Sequence, residues 1–219
     1  MNRSRKIAAF LNVLILLSLP CYALADEVSE VKHESAQETY TKGRLSLQLV
    51  SGVLNSFTKF PEGSPVFGYA QTNLRLGWMI QSPSQSRSFW RGNWEVIGEV
   101  TNSIIYKGFG SYIGGITALL RYNFVQPGWR FIPYVHGGFG IVYTDAYKDK
   151  TQQAIGQAIE FTPQCSLGFR YLINKNWSFD GEAMFHHISN ANLADRNRSI
   201  NAVGGFVGVT YFFDKVWKP

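Results

Sequence analysis

Within "FHHISNANLADRNRSINAVGGFVGVTYFF" (185–213), His187 stands two residues before Ser189. On a β-strand, residues i and i+2 share a face, so an imidazole there reaches the neighbouring hydroxyl. A serine hydroxyl is a weak nucleophile until a base takes its proton, and histidine is the usual base near neutral pH. The pair therefore suits nucleophilic attack on an acyl group. No metal constellation accompanies it, because His136 and His186 are isolated and fit ordinary strand positions. No glycine-rich phosphate loop precedes a helix, so the many glycines read as strand packing and turns. No metal and no cofactor are expected.

The elements that must hold the pair are strands. From Arg44 onward the chain alternates apolar and polar residues with a period of two, in eight successive runs. The second run, for example, sets Leu74, Leu76 and Trp78 against Asn73 and Arg75. The seventh sets Trp177, Phe179, Ala183 and Phe185 against Ser178, Asp180, Glu182 and His186. The apolar face carries large aromatics at many strand ends, as in the interfacial girdles of a membrane barrel. The other face mixes acids, arginine and glutamine with small residues, as a narrow lumen requires. The predicted fold is all-β, an eight-stranded antiparallel transmembrane β-barrel. A soluble periplasmic sandwich or lipocalin-like barrel is the competing class.

The chain ends support that choice. A basic "MNRSRK", an apolar "IAAFLNVLILLSL" and the small-x-small Ala23-Leu24-Ala25 mark residues 1–25 as a cleaved export signal. Its removal takes Arg3, Arg5 and Lys6 from 21 basic residues, leaving 18 against 15 acidic ones. So mild a charge excludes nothing but a dedicated nucleic-acid binder. Cys21 leaves with the signal, so Cys165 stands alone and no internal disulfide forms. Residues 26–43 are polar and aperiodic, a flexible leader, and 44–219 form the barrel. With no second long apolar segment, membrane residence must be achieved by strands.

Short connections near 125–129 and 173–176 suit periplasmic turns, and 145–157 suits an external loop. The long connection 82–93 breaks the pattern. With both termini periplasmic, the seventh strand runs outward. His187 and Ser189 then face lipid near its external end, on the parity of Phe185, and Asn201 opens the eighth strand on the same side. Polar groups there need hydrogen-bond partners, or must lie in the headgroup zone. Both readings, a catalytic pair or tolerated headgroup residues, fit the pattern at this point.

The run "HISNANL" (187–193), a turn and a final strand resemble the signature of PagL-type lipid A 3-O-deacylases. The resemblance implies an outer-membrane serine esterase that removes an ester-linked 3-hydroxyacyl chain from lipid A of lipopolysaccharide. It implies His187 as general base, Ser189 as nucleophile and Asn190 in the oxyanion-stabilising region. The family's acidic third member falls at Asn201, which carries no charge; Asp195 is the alternative acid. Arg196 and Arg198, with Lys107, Lys148 and Lys150, are placed to meet lipid phosphates. The acyl chain would run along the outer wall by Trp177, Phe179 and Phe185. Rival functions are a non-catalytic anchor, adhesin or surface-interaction barrel and a small-solute pore, the latter disfavoured because Arg75, Arg121 and Arg170 can pair with lumen acids. Oligomeric state, a homodimer included, is left open.

Overall fold

Alternation of this length leaves each strand with one oily and one polar face, and closure lets both be satisfied at once. The computed structural model describes residues 36–57, 65–84 and 88–213. The expected signal segment and residues 26–35 of the leader lie outside the described residues. A helical turn, α1 (Ala36–Thr39), precedes β1 (Leu45–Ser56), β2 (Gly68–Met79), β3 (Gly92–Lys107) and β4 (Tyr112–Phe124). After them come β5 (Phe131–Thr144), β6 (Ile159–Leu172), β7 (Trp177–Ile188) and β8 (Ile200–Phe212). Each strand pairs antiparallel with its sequence neighbour, and β8 returns to β1, closing the barrel. No edge is left to compete for backbone hydrogen bonds, the condition for strands in hydrocarbon. No described helix is long and apolar enough to cross a membrane.

The parity follows the sequence pattern strand by strand. Leu74, Leu76, Trp78, Val96, Val100, Ile116, Leu120, Leu167 and Val207 are exposed on the outside. Asn73, Arg75, Glu95, Glu99, Arg121, Arg170, Asp180 and Glu182 are buried in the lumen. This is the inverse of a soluble protein, and it removes the sandwich and lipocalin alternatives. Aromatic pairs gird the rim opposite His187, among them Trp94 with Tyr122 and Trp177 with Tyr211, ring centres 4.8 and 4.9 Å apart.

Three layers fill the lumen. At the external end Val50, Leu54, Phe67, Ile113, Ile155, Met184 and Phe206 form an apolar plug. At mid-height the charges pair. Arg75 reaches Glu99 at 2.6 Å and Glu182 at 2.7 Å, while Arg170 reaches Glu95 at 2.9 Å. Arg121 lies 3.5 Å from Glu95 and stacks over the Tyr134 ring at 4.2 Å. His136 accepts from Arg121, and His186 bonds Tyr69 and Thr162, so both histidines are lumen residues. Gly77 makes room for this layer, since a Cβ there would collide with the Glu95 carboxylate. The arrangement leaves packed side chains where a pore would need water.

The third layer departs from the sequence reading. Residues 36–43 were expected to continue a flexible polar leader, yet Ala36 and Tyr40 are buried with Met79, Val125, Ile132, Leu172 and Phe212 at the far mouth. Arg44 fastens the segment by donating to the carbonyls of Glu38, Lys175 and Phe213. Two isolated apolar residues among polar ones carry no period, which is why alternation missed them.

Glu182→Ala would leave the Arg75 guanidinium with Glu99 as its one charged partner in contact and Gln48 as a neutral one. Removing one partner of a buried ion pair costs about 3–5 kcal/mol. The urea midpoint of the heat-modifiable folded band should fall accordingly, whereas Leu167→Ala on the lipid face should leave it nearly unchanged.

Candidate active site

β7 and β8 are in register such that His187 lies opposite Asn201. Beyond the end of β7, Ser189 still pairs with β6: Phe161 N–H donates to its carbonyl at 2.7 Å, and its own N–H donates back at 3.0 Å. That extra bridge keeps Ser189 on strand parity, so its side chain shares the outer face with His187. The consequence is a chain of three polar side chains. His187 Nδ1 lies 2.6 Å from Asn201 Oδ1, and His187 Nε2 lies 2.9 Å from Ser189 Oγ. All three residues are half-buried on the outer wall, flanked by Phe161 and by Phe57, whose N–H bonds the Asn201 carbonyl at 3.2 Å. With Nδ1 carrying the ring proton, Asn201 accepts it and Nε2 is free to take the serine proton.

Asp195 does not compete for that place. It is exposed in the 189–199 connection, and the hydrogen bond to Nδ1 belongs to Asn201. The connection itself is under backbone tension. Ala191, Asn192 and Ser199, at φ +52°, +64° and +58°, are the only non-glycine residues with positive φ among those described. Such geometry costs about 1–2 kcal/mol for a residue like alanine and clusters where function demands it.

What holds the turn is the neighbouring external loop. Arg196 donates to the carbonyls of Tyr147 at 2.8 Å, Asp149 at 2.8 Å and Gln152 at 3.1 Å. Arg198 N–H bonds the Gln153 carbonyl, and Ser199 N–H that of Ala154. Asn190 is fully buried; its amide donates to Arg196 O and its backbone N–H to Asn197 Oδ1, both at 2.9 Å. Its donors therefore face the loop interior, which is a different role from direct oxyanion contact. Beneath it, buried Glu160 accepts from the N–H groups of Gly156 and Gln157, each at 3.2 Å. At the loop's start, burial raises the Asp145 carboxyl, but hydrogen bonds from Ser111 and Tyr112 outweigh that and hold it below the usual range.

The structure thus divides the expected basic residues. Arg196 is a loop clasp, its guanidinium consumed by carbonyls, whereas the Arg198 side chain is exposed and free to meet an anion. It also shortens the expected acyl groove. Ten residues separate Trp177 from His187, about 33 Å along a strand, which at the usual tilt of about 40° crosses the apolar band of about 25 Å. Trp177 belongs to the opposite rim. Phe185, stacked on Phe57 with centres 6.2 Å apart, stands directly below the site. Next below it is a shallow notch where Ala183 faces Gly205, and a Cβ on Gly205 would meet only open space. Phe179 lies further down the same wall. Phe57 escaped the sequence reading because barrel closure brings β1 to β8, and Phe161, Glu160 and Gly205 because their place depends on strand register across β6, β7 and β8. Among the described residues no cluster of metal-ligating side chains occurs.

Comparison with known proteins bears on this geometry. The family model described as Lipid A 3-O-deacylase (PagL) matches residues 66–210. The crystal structure of the outer membrane enzyme PagL superposes with a TM-score of 0.51 at 18% identity, covering 73% of this chain and 97% of that one. Neisserial surface protein A superposes at 0.54 with 12% identity, covering 77% and 97%. A search of curated protein sequences finds no match.

The two arginines should separate experimentally. Arg196→Ala should open the paired external loops to limited proteolysis of the folded barrel, at least tenfold faster than in the parent. Arg198→Ala should leave the cleavage rate unchanged.

Proposed function

The chain belongs to the lipid A 3-O-deacylase (PagL) family, and from that premise we propose that His187 and Ser189 carry the hydrolysis on the outer wall of an outer-membrane barrel. The observation that supports this most is the 2.9 Å contact between His187 Nε2 and Ser189 Oγ on the lipid-facing side. A polar pair in hydrocarbon is costly unless internally bonded, and this one is bonded into a relay rather than dispersed. An enzyme acting on a bilayer lipid needs its nucleophile where the lipid already lies, at the level of the outer-leaflet headgroups.

The steps follow from the contacts. Ser189 Oγ attacks the carbonyl carbon of the ester at position 3 of lipid A while its proton passes to His187 Nε2. The negative charge gathers on the carbonyl oxygen. The backbone N–H groups of Ala191 and Asn192, which make no hydrogen bond within the described protein, are the nearest donors in sequence for it. The strained turn, held from below by Asn190 and clasped by Arg196, keeps those groups clear of other partners. Collapse expels the sugar 3-oxygen, which takes the proton back from His187, and leaves the acyl chain on Ser189. Water, deprotonated by the same imidazole, then releases a 3-hydroxy fatty acid and restores the serine.

The acyl chain leaves the site past Phe185 and Phe57 toward the Ala183–Gly205 notch. Arg198, with Lys148 and Lys150 of the neighbouring loop, supplies positive charge for the lipid phosphates. Asn201 sets the limit on rate. It orients the imidazole but does not stabilise the imidazolium as a carboxylate would. In serine proteases the exchange of Asp for Asn costs about four orders of magnitude.

In a host whose lipid A carries a 3-linked hydroxyacyl chain, expression should yield a species lighter by that chain in mass spectra of lipid A. Ser189→Ala and His187→Ala should each remove it while the folded band on gels persists. An unchanged spectrum with wild-type protein present and folded would defeat the reading. Asn201→Asp should raise kcat by about one to three orders of magnitude.

A further inference from the structure

The identity of residue 201 changes more than the charge of the site. A carboxylate can only accept hydrogen bonds, so it forces the proton of a neutral imidazole onto Nδ1 and leaves Nε2 as the base. A side-chain amide has both an acceptor oxygen and a donor NH2. In one orientation Asn201 Oδ1 accepts from Nδ1–H, and Nε2 faces Ser189 with a lone pair. In the other, Asn201 Nδ2 donates to Nδ1. The ring proton then moves to Nε2, which can only donate to Ser189 Oγ, and the serine has no base. The 2.9 Å contact to Ser189 Oγ suits either direction of donation, and the 2.6 Å contact to Asn201 is that of Oδ1 turned to the ring; the flipped amide needs only about 0.3 Å more between Nδ2 and Nδ1.

Among the described residues no second hydrogen-bond partner holds the amide of Asn201 in either orientation. With Oδ1 turned to His187, the NH2 group of Asn201 has no hydrogen-bond acceptor within the described protein. The residue is half-buried on the outer wall, so that group is within reach of a lipid at the level of the headgroups. Its flanks are Phe57 on the β1 side and Val203 next along the outward face, neither of which offers a side-chain oxygen. An oxygen brought by the lipid to Nδ2 would fix the amide with Oδ1 toward the ring.

Resting on the assignment of His187 and Ser189, we propose that Asn201 is a positioning residue read by the substrate: a hydrogen-bond-accepting oxygen of the lipid A headgroup engages its NH2 group and thereby sets His187 in the tautomer that can act as base. The empty site holds a mixture of the two states, and the seated substrate draws it to the competent one. Lipids without an oxygen at that position bind the wall but do not arm the serine. Discrimination then appears in kcat more than in KM, because the acceptor acts on the fraction of correctly protonated sites.

The tautomer is directly observable. In the full chain carrying Ser189→Ala, which binds without turnover, 15N-histidine spectra in bicelles at pH 8 separate Nδ1–H from Nε2–H. Without lipid A, the His187 signals should show Nε2–H or an averaged mixture. With lipid A acylated at position 3, they should move to Nδ1–H. Dephosphorylated lipid A locates the acceptor: a retained shift assigns a sugar or amide oxygen, a lost one a phosphate. With Asn201→Asp added, Nδ1–H should be present before and after lipid. The proposal is overturned if the Asn201 protein shows the same tautomer with and without lipid A, or if the Asn201→Asp protein shifts as much as it does. This readout is independent of turnover, so absence of deacylation in the mass spectra would leave it interpretable by itself.

Discussion

Closure of the β-ladder governs everything else in this molecule. Once β8 pairs with β1, every strand residue has only two destinations, a lumen about one side chain deep on each wall or the surrounding lipid. Residue parity then becomes destiny. The lumen collects Arg75, Glu95, Glu99, Arg121, Arg170, Asp180 and Glu182, which pair with one another in contact. The outside collects leucine, valine and aromatic side chains. A reactive group on the outer parity, near one rim, is handed to the membrane by the fold itself. His187 has that parity as a residue of β7, and Ser189 keeps it because the Phe161–Ser189 bridge extends the pairing one residue past the strand.

The rigidity of the site follows from the same ladder. His187 is fixed by pairing with Asn201 across β7 and β8, so the imidazole needs no long-range support to find its partner. The 189–199 turn does need support, and it comes from across the external rim. Arg196 binds three carbonyls of the 145–158 loop, and the buried Asn190 and Glu160 fill the space between the two segments. Strained φ values at Ala191 and Asn192 are kept in place by that clasp. Polar, half-buried and tense, this rim contrasts with the apolar plug directly inside it.

Much of this could be read from the chain before any coordinates. The eight strands, their two faces and the outward address of His187, Ser189 and Asn201 follow from a period of two and an i,i+2 spacing. The distinction between Asn201 and Asp195 did not, because it depends on which residue β8 sets opposite His187. The role of Arg196 was hidden for a related reason. A loop arginine looks the same in sequence whether its guanidinium meets a phosphate or three backbone carbonyls. Trp177 was drawn into the acyl path by parity alone, and strand length in ångströms removes it. Ala36 and Tyr40 entered the far mouth without any periodic signal. Parity is a local property and is legible; loop-to-loop contacts and end plugs are not.

The central claim is that Ser189 is an activated nucleophile facing the outer leaflet at the level of the headgroups. A membrane-soluble fluorophosphonate added to the folded protein in vesicles tests it directly, with the modified peptide located by mass spectrometry. The account predicts a single adduct on Ser189 that disappears when His187 is replaced by alanine. A protein that deacylates lipid A while Ser189 stays unmodified, or an adduct on Ser189 that survives loss of the imidazole, would contradict it.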